Sequence, residues 1–240
     1  MKKLQTSSNT KYSGLKELLN IETMKNYNDF IVSNALKNIS PHDTLIDFGA
    51  GIGTLSKIFK EKHLLKPICI EVDEENLRFL TKRNLTFFRK LNEVDGQVDF
   101  IFSSNVLEHI DDDTSILMEM EKKLSKNGLI YLYLPAKMVL WTQLDENVGH
   151  YRRYEKKEIQ MKCAKAGLRI ERIHFADSIG FFASLAMKIL GHNSETGLGS
   201  KKSLKFYDQW IFPISKIIDA FGFKYLFGKN IIILASKITR

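Results

Sequence analysis

The stretch Thr44-Leu-Ile-Asp-Phe-Gly-Ala-Gly-Ile-Gly-Thr54 decides the fold. Its first half, 44–48, is a short apolar run of the kind that makes a strand buried on both faces of a parallel sheet. Its second half, with Gly49, Ala50, Gly51 and Gly53, reads as a tight turn that opens a helix over 54–62. Strand, glycine turn and helix in that order let backbone approach a bound ligand closely at the helix N-terminus. The spacing is GxGxG. A dinucleotide-binding GxGxxG turn would want glycine or alanine where this chain has Thr54.

Outward from this turn the same alternation repeats. Apolar runs at 67–71, 85–88, 98–102 and 129–134 are separated by helical patterns at 74–83, 114–126 and 155–166, with Gly128 and Gly167 placed as helix stops. Such alternation predicts an α/β, doubly wound sheet. Residues 168–174 alternate like a half-exposed strand, and 230–236 form a final buried one, giving seven strands in all. The mostly parallel sheet is expected to have its last strand antiparallel. Residues 1–40 form a helical lead-in, with apolar helical spacing from about Leu15 to Asn38 that ends at Ser40-Pro41. Residues 176–229 are an apolar, aromatic insertion expected to form helices near the sheet's C-terminal edge. The whole, 1–240, reads as a single domain.

The composition is that of an ordinary globular protein: 240 residues, 44% apolar, 36 Lys+Arg against 28 Asp+Glu. It excludes disordered, fibrous and disulfide-scaffold classes. Cys69 and Cys163 are expected as reduced core thiols, and no metal set is expected, since neither cysteine has a histidine at ligand spacing and His42, His63, His174 and His192 show none. No apolar stretch follows Met1-Lys2-Lys3, so a cytoplasmic location is expected. The net charge of +8 sits in the last third, where residues 151–240 hold 17 basic and 7 acidic residues. Mixed with Phe, Ile and Leu, that surplus suits an anionic lipid surface or a phosphorylated substrate, or simply lysines on solvated helices.

Two carboxylates complete the turn. Asp47 lies two residues before Gly49, and Glu71 ends the next strand, 18 residues beyond Gly53, where a carboxylate can accept both hydroxyls of a ribose. With Asp47 free for a cationic amino group, the set suits an aminoacyl-nucleoside without phosphates. Here the chain resembles the class I S-adenosylmethionine (SAM) dependent methyltransferases. The likeness continues through Val98-Asp-Phe-Ile-Phe-Ser-Ser-Asn-Val-Leu-Glu-His-Ile110 and Lys126-Asn-Gly-Leu-Ile-Tyr-Leu-Tyr-Leu-Pro135, and covers about residues 27–175. It implies SAM as cofactor, with Gly49 to Gly53 around the methionine part, Glu71 and Val72 at the ribose, and Ser104, Asn105 and Val106 lining the far side. The family often carries an acidic residue after the third strand for the adenine amino group. This chain has Phe88-Arg-Lys-Leu-Asn-Glu-Val94 instead, which leaves backbone near Lys90 and Leu91 for that task.

A second polar concentration, Trp141-Thr-Gln-Leu-Asp-Glu-Asn-Val-Gly-His-Tyr-Arg-Arg-Tyr154, follows the fifth strand. It resembles a "DE..GH.RRY" element found in a subset of bacterial class I methyltransferases. Ligands bind outside the carboxyl ends of such strands, so Asp145, Glu146, Tyr151, Arg152 and Arg153 are candidates to face the acceptor. The arginine pair could hold a carboxylate or phosphate. The competing reading is a clasp in which Asp145 or Glu146 pairs with an arginine to order the loop. His109, after the fourth strand, and His150, in the loop, are candidate general bases. A structural His109 is the alternative.

The sequence therefore implies methyl transfer from SAM to a small-molecule, glycolipid or saccharide acceptor, with peripheral membrane contact or a homodimer interface through 176–229. Three rivals stay open. RNA methylation fits the basic charge but finds no appended RNA-binding module. A catalytically silent SAM-binding regulatory subunit would keep the glycines and Glu71. A nicotinamide-dependent reductase would use the same glycine turn.

Overall fold

The computed structural model describes residues 14–190 and 201–238. The first part of the lead-in, part of the 176–229 insertion and His192 lie outside the described residues. The strands are β1 (Leu45–Phe48), β2 (Ile68–Ile70), β3 (Thr86–Phe88), β4 (Val98–Ser104), β5 (Leu124–Pro135), β6 (Leu168–Ala176) and β7 (Asn230–Lys237). They form one sheet in the order β3-β2-β1-β4-β5-β7-β6. β7 slots between β5 and β6 and pairs antiparallel with both, while all other pairings are parallel. The last strand is thus the antiparallel one, as its sequence position suggested.

Helices cover both faces: α1 (Leu15–Glu22), α2 (Lys25–Leu36), α3 (Thr54–His63), α4 (Glu74–Lys82), α5 (Asp113–Lys123), the short α6 (Gln143–Asn147) and α7 (Lys156–Lys165). β1 and β4 are apolar because they are central and buried on both sides; Ile46, Phe100, Ile101 and Phe102 are fully buried. Cys69, in β2, and Cys163, on α7, are free and buried. Gly128 is not a helix stop, contrary to the sequence reading. α5 ends at Lys123, and Gly128 sits in β5 beyond an irregular register between Val98 and Phe100, tucked so close to Leu124 that a Cβ would fall 2.9 Å from its side chain.

The insertion holds α8 (Ser178–Ile189), α9 (Lys201–Phe206) and α10 (Phe212–Ala220), the last two joined by a π-turn at 207–211. Buried carboxylates hold it together and tie it to α2. Asp219 accepts from the Asp177 and Ser178 amides, and Asp208 accepts from the Asn26 and Tyr27 amides at 3.1 and 2.8 Å. Met24 cannot cap α2, so Asp208 satisfies two of its open N–H groups from across the chain. Among the described residues no helix is long and apolar enough to cross a membrane.

Candidate active site

A crevice of about 1490 Å³ opens at the carboxyl ends of β1, β2, β4 and β5, where a doubly wound sheet binds its ligands. It exceeds the volume usual for one small ligand, about 300–1,000 Å³, so it has room for two molecules side by side. Its floor is the glycine turn and its roof includes Leu18 and Ile21 of α1. A salt bridge from Arg83 to Glu22, 2.7 Å, ties α1 down to the end of α4.

The turn is held by its own amides. Gly49 and Ala50 donate to the Ile70 carbonyl at 2.8 and 3.1 Å, Gly53 to the Ala50 carbonyl at 2.9 Å, and Gly51 to Glu71 Oε2 at 2.6 Å. These N–H groups are spent inside the protein, so what the turn offers a ligand is close approach. Gly49 and Gly53 both sit at positive φ, 75° and 77°. A Cβ on Gly49 would fall 2.3 Å from Val106 Cγ2, and one on Gly53 would strike Leu80 and Leu85 at 2.6 Å. Gly49 therefore keeps the crevice wall in shape, whereas Gly53 lets α3 pack on the core behind it.

Of the expected cofactor residues, the structure brings Gly49, Gly51, Glu71, Val72, Leu91, Asn105 and Val106 to the crevice. Glu71 is buried, and its Oε1 accepts from the Val72 and Asp73 amides at 2.8 and 2.9 Å. Three backbone donors fix this carboxylate, and Oε2, with one amide partner, keeps the free acceptor capacity a ribose hydroxyl needs. Asn105 holds positive φ of 53° and donates its amide to Tyr133 O, which turns the chain outward at the end of β4. Arg89, Lys90 and Asn92 also line the crevice, while Glu93, the acidic residue nearest by, is turned back onto the Arg89 and Lys90 amides.

Asp47, Ala50, Gly53 and Ser104 do not line it. Asp47 lies beneath the turn, accepts from Ser56 Oγ at 2.6 Å, and is pushed up to about 7 by burial. It is not available to a ligand's amino group, contrary to the sequence expectation. Ser104 Oγ instead accepts from its neighbour Asn105.

The loop divides into clasp and lining. Arg152 does not reach the crevice: it donates to the Ile110 and Asp111 carbonyls at 2.8 Å each and pairs with Asp113 at 2.9 Å. Asp113 also accepts from Tyr154 and Lys162 at 2.8 and 2.7 Å, and these donors hold it below its usual value although burial pushes it up. Tyr151 is exposed against the Arg152 guanidinium, and Glu146 bonds Trp141 and Gln143 at the surface. None of these three can grip an acceptor in the crevice. Arg153 and Asp145 do line it, joined by two parallel bonds of 2.9 and 3.1 Å, which leave Arg153 Nη1 buried and unpartnered. Burial opposes ionisation of Asp145, but His150 and Arg153 hold it down at about 2.

The two candidate histidines meet. Their rings stand edge to face with centroids 4.6 Å apart. His150 Nδ1 lies 2.9 Å from Asp145 Oδ1, so a neutral ring donates there and presents the Nε2 lone pair. Burial, and then the neighbouring His150, lower His109 to about 4. Between them sits Glu108, which sequence reasoning passed over as part of a helix start. It is completely buried, neither carboxylate oxygen has a partner, and burial pushes it up to about 8. Lys229, from the end of the insertion, also lines the crevice and is lowered by desolvation. The one sequence signal for Glu108 was its place beside His109; nothing marked Lys229.

A methyltransferase-domain family model matches residues 21–173, which include β1 to β5 and the clasp loop. No curated protein matches the sequence. Solved structures share the fold at low identity. A chain from the complex between the Haloferax volcanii Trm112 methyltransferase activator and a candidate methyltransferase is 13% identical, with 95% of each chain covered and a TM-score of 0.64. Magnesium protoporphyrin IX methyltransferase from Synechocystis PCC 6803, solved with S-adenosylhomocysteine, is 13% identical over 99% of this chain and 90% of that one, TM-score 0.57. The cyclopropane synthase MmaA2 from Mycobacterium tuberculosis is 14% identical over 88% and 83%, TM-score 0.56. The crevice, with its cradle at Gly49 and amide-fixed Glu71, fits SAM, and a family match over well over half of the chain places this protein among the class I SAM-dependent methyltransferases.

Proposed function

We propose that the protein methylates an amphipathic, anionic acceptor, a lipid-linked or saccharide-linked molecule, at the cytoplasmic face of a membrane. The observation that carries this reading is the shape of the crevice. It runs from the glycine turn past Arg153 and Lys229 to Ser184, Met187 and Lys188 of α8, and the outer surface of the insertion is apolar and basic. Phe182, Met187 and Ile189 on α8, Leu190 just after it, and Trp210, Ile217 and Phe221 beyond, are all more than half exposed. Exposed apolar side chains interleaved with Lys188, Lys216 and Lys224 suit an anionic bilayer surface.

SAM held by Glu71 and the Gly49–Val106 wall would supply an electrophilic methyl carbon on a cationic sulfur, to be taken up by an acceptor lone pair with the neutral thioether as leaving group. The chain's residues do the rest. Glu71 and the Gly49–Val106 wall orient the cofactor; Arg153, neutralised by Asp145 on one edge, offers Nη1 to an acceptor anion. The α1 roof excludes water. The Glu108, His109 and His150 cluster faces the acceptor half, where a hydroxyl must lose its proton. Methyl transfer gains most of its rate from such positioning.

The test is transfer of radiolabel from SAM to acceptors presented in anionic vesicles, compared with soluble saccharides and with mixed RNA. Label recovered in the lipid fraction, with Arg153→Ala raising KM, is expected. Label recovered only in RNA would overturn the reading, as would binding of SAM without transfer to any class, which marks a regulatory subunit.

A further inference from the structure

We infer that Glu108, His109 and His150 form a binding site for one divalent transition-metal ion at the acceptor end of the crevice. A ligand atom from each, a carboxylate oxygen and one ring nitrogen per histidine, lies within 4.8 Å of the others. His150 Nε2 is 3.9 Å from Glu108 Oε1. Around an ion with bonds of about 2.0–2.2 Å, three such atoms stand roughly 3–3.5 Å apart, so the cluster needs to close by at most about 2 Å.

Three independent features point to a cation. Glu108 is buried and neither of its carboxylate oxygens has a hydrogen-bond partner. The nearest guanidinium, Arg153, is already bound on two nitrogens by Asp145 and makes no ion pair with Glu108. The His150 imidazole is steered by its other nitrogen, Nδ1, which lies 2.9 Å from Asp145 Oδ1, and its ring packs edge to face on that of His109. A histidine whose second nitrogen is held by a carboxylate or a carbonyl is the usual support of a metal ligand, since that bond fixes tautomer and ring orientation.

Two histidines and one carboxylate on one side of an ion leave its remaining positions open. Here the three residues line the crevice, so those positions face the acceptor. An acceptor oxygen bound there would be oriented and made more acidic. The inference rests on the methyltransferase reading of the crevice only for that last step; the ion site itself stands on the cluster. Iron(II), zinc or manganese suits two imidazoles and a carboxylate better than calcium does.

The experiment uses the full chain stripped with chelator. Cobalt(II) is titrated with visible absorption as readout and zinc(II) by calorimetry, each beside S-adenosylhomocysteine binding as a separate arm. One ion per chain is expected, with Glu108→Gln and His150→Ala each weakening it at least tenfold and Asp145→Asn by about 10–100-fold through its hold on His150. S-adenosylhomocysteine should bind all variants. His150 is partly exposed, so if Glu108→Gln fails to fold, His150→Ala carries the test. No binding at 100 µM cobalt or zinc by a chain that binds S-adenosylhomocysteine overturns the site; so does binding that Glu108→Gln and His150→Ala leave unchanged. Ion binding without S-adenosylhomocysteine binding would instead keep the site and overturn the cofactor reading.

Discussion

Replacing Gly49 with alanine tests the division of labour inside the glycine turn. The new Cβ must occupy a positive φ of 75° and a point 2.3 Å from Val106 Cγ2, 2.6 Å from Cγ1 and 3.0 Å from Cβ. The left-handed conformation costs about 1–2 kcal/mol for a residue with a Cβ, and overpacking a branched, half-buried neighbour adds about 1–3 kcal/mol. The sum, about 2–5 kcal/mol, corresponds to a fall in Tm of roughly 4–20 °C for a chain of this size. Val106 is the atom group that must give, and it lines the crevice, so S-adenosylhomocysteine should bind at least tenfold more weakly. Gly53→Ala is the control. It meets the same kind of backbone strain, at φ 77°, but strikes Leu80 and Leu85, which pack with Cys69 and Leu77 behind the turn. Its Tm should fall comparably while affinity stays within about threefold, corresponding to less than ~1 kcal/mol. Differential scanning calorimetry and titration calorimetry on the two variants give both numbers. Equal affinity losses at equal stability losses would show that affinity only reports global stability, and the argument for separate roles would fail.

Asp113→Ala strands Tyr154, Lys162 and Arg152 together and should cost about 3–5 kcal/mol in urea unfolding, far more than Glu146→Ala at the same loop's surface. Asp208→Ala uncaps α2 from a distance and should cost about 1–2 kcal/mol; amide exchange in the first turn of α2 should quicken while β4 stays protected. His174 is held down at about 4, by burial first and then by the Lys224, Arg172 and Lys156 charges. Its folded state binds fewer protons than its unfolded state between about pH 4 and pH 6.5. Its contribution to stability is therefore complete above that window and lost as pH falls through it. His174→Phe should flatten that part of the stability profile, and an unchanged slope would remove His174 as the cause.

The strand and helix pattern was legible because buried parallel strands and amphipathic helices write their periods locally. Six of the seven strands began within about two residues of their sequence positions, and the miss at Gly128 arose where β5 starts early through a register irregularity that no local pattern records. The glycine turn and Glu71 were legible for the same reason, since a turn, its helix and the next strand end are a local unit. Asp47 was misjudged because a strand residue's face depends on what packs beneath it; only the tertiary structure shows Ser56 there.

The acceptor half was legible only as a list of residue types. Two adjacent arginines look alike in sequence, yet Arg152 is consumed by Asp113 and two carbonyls, while Arg153 turns inward with one nitrogen free. His109 and His150 are 41 residues apart and share no sequence spacing, but the turn after β4 and the loop after β5 end at the same sheet edge. The parallel pairing of β4 with β5 brings those edges together and sets the rings 4.6 Å apart around a buried Glu108. What the sequence by itself determined was the sheet and the glycine turn with the carboxylate beside it, because these depend on contacts within some tens of residues. Which polar groups are spent on holding the loop and which remain free for chemistry was decided by long-range hydrogen bonds, and those exist only once the strands have brought their ends together.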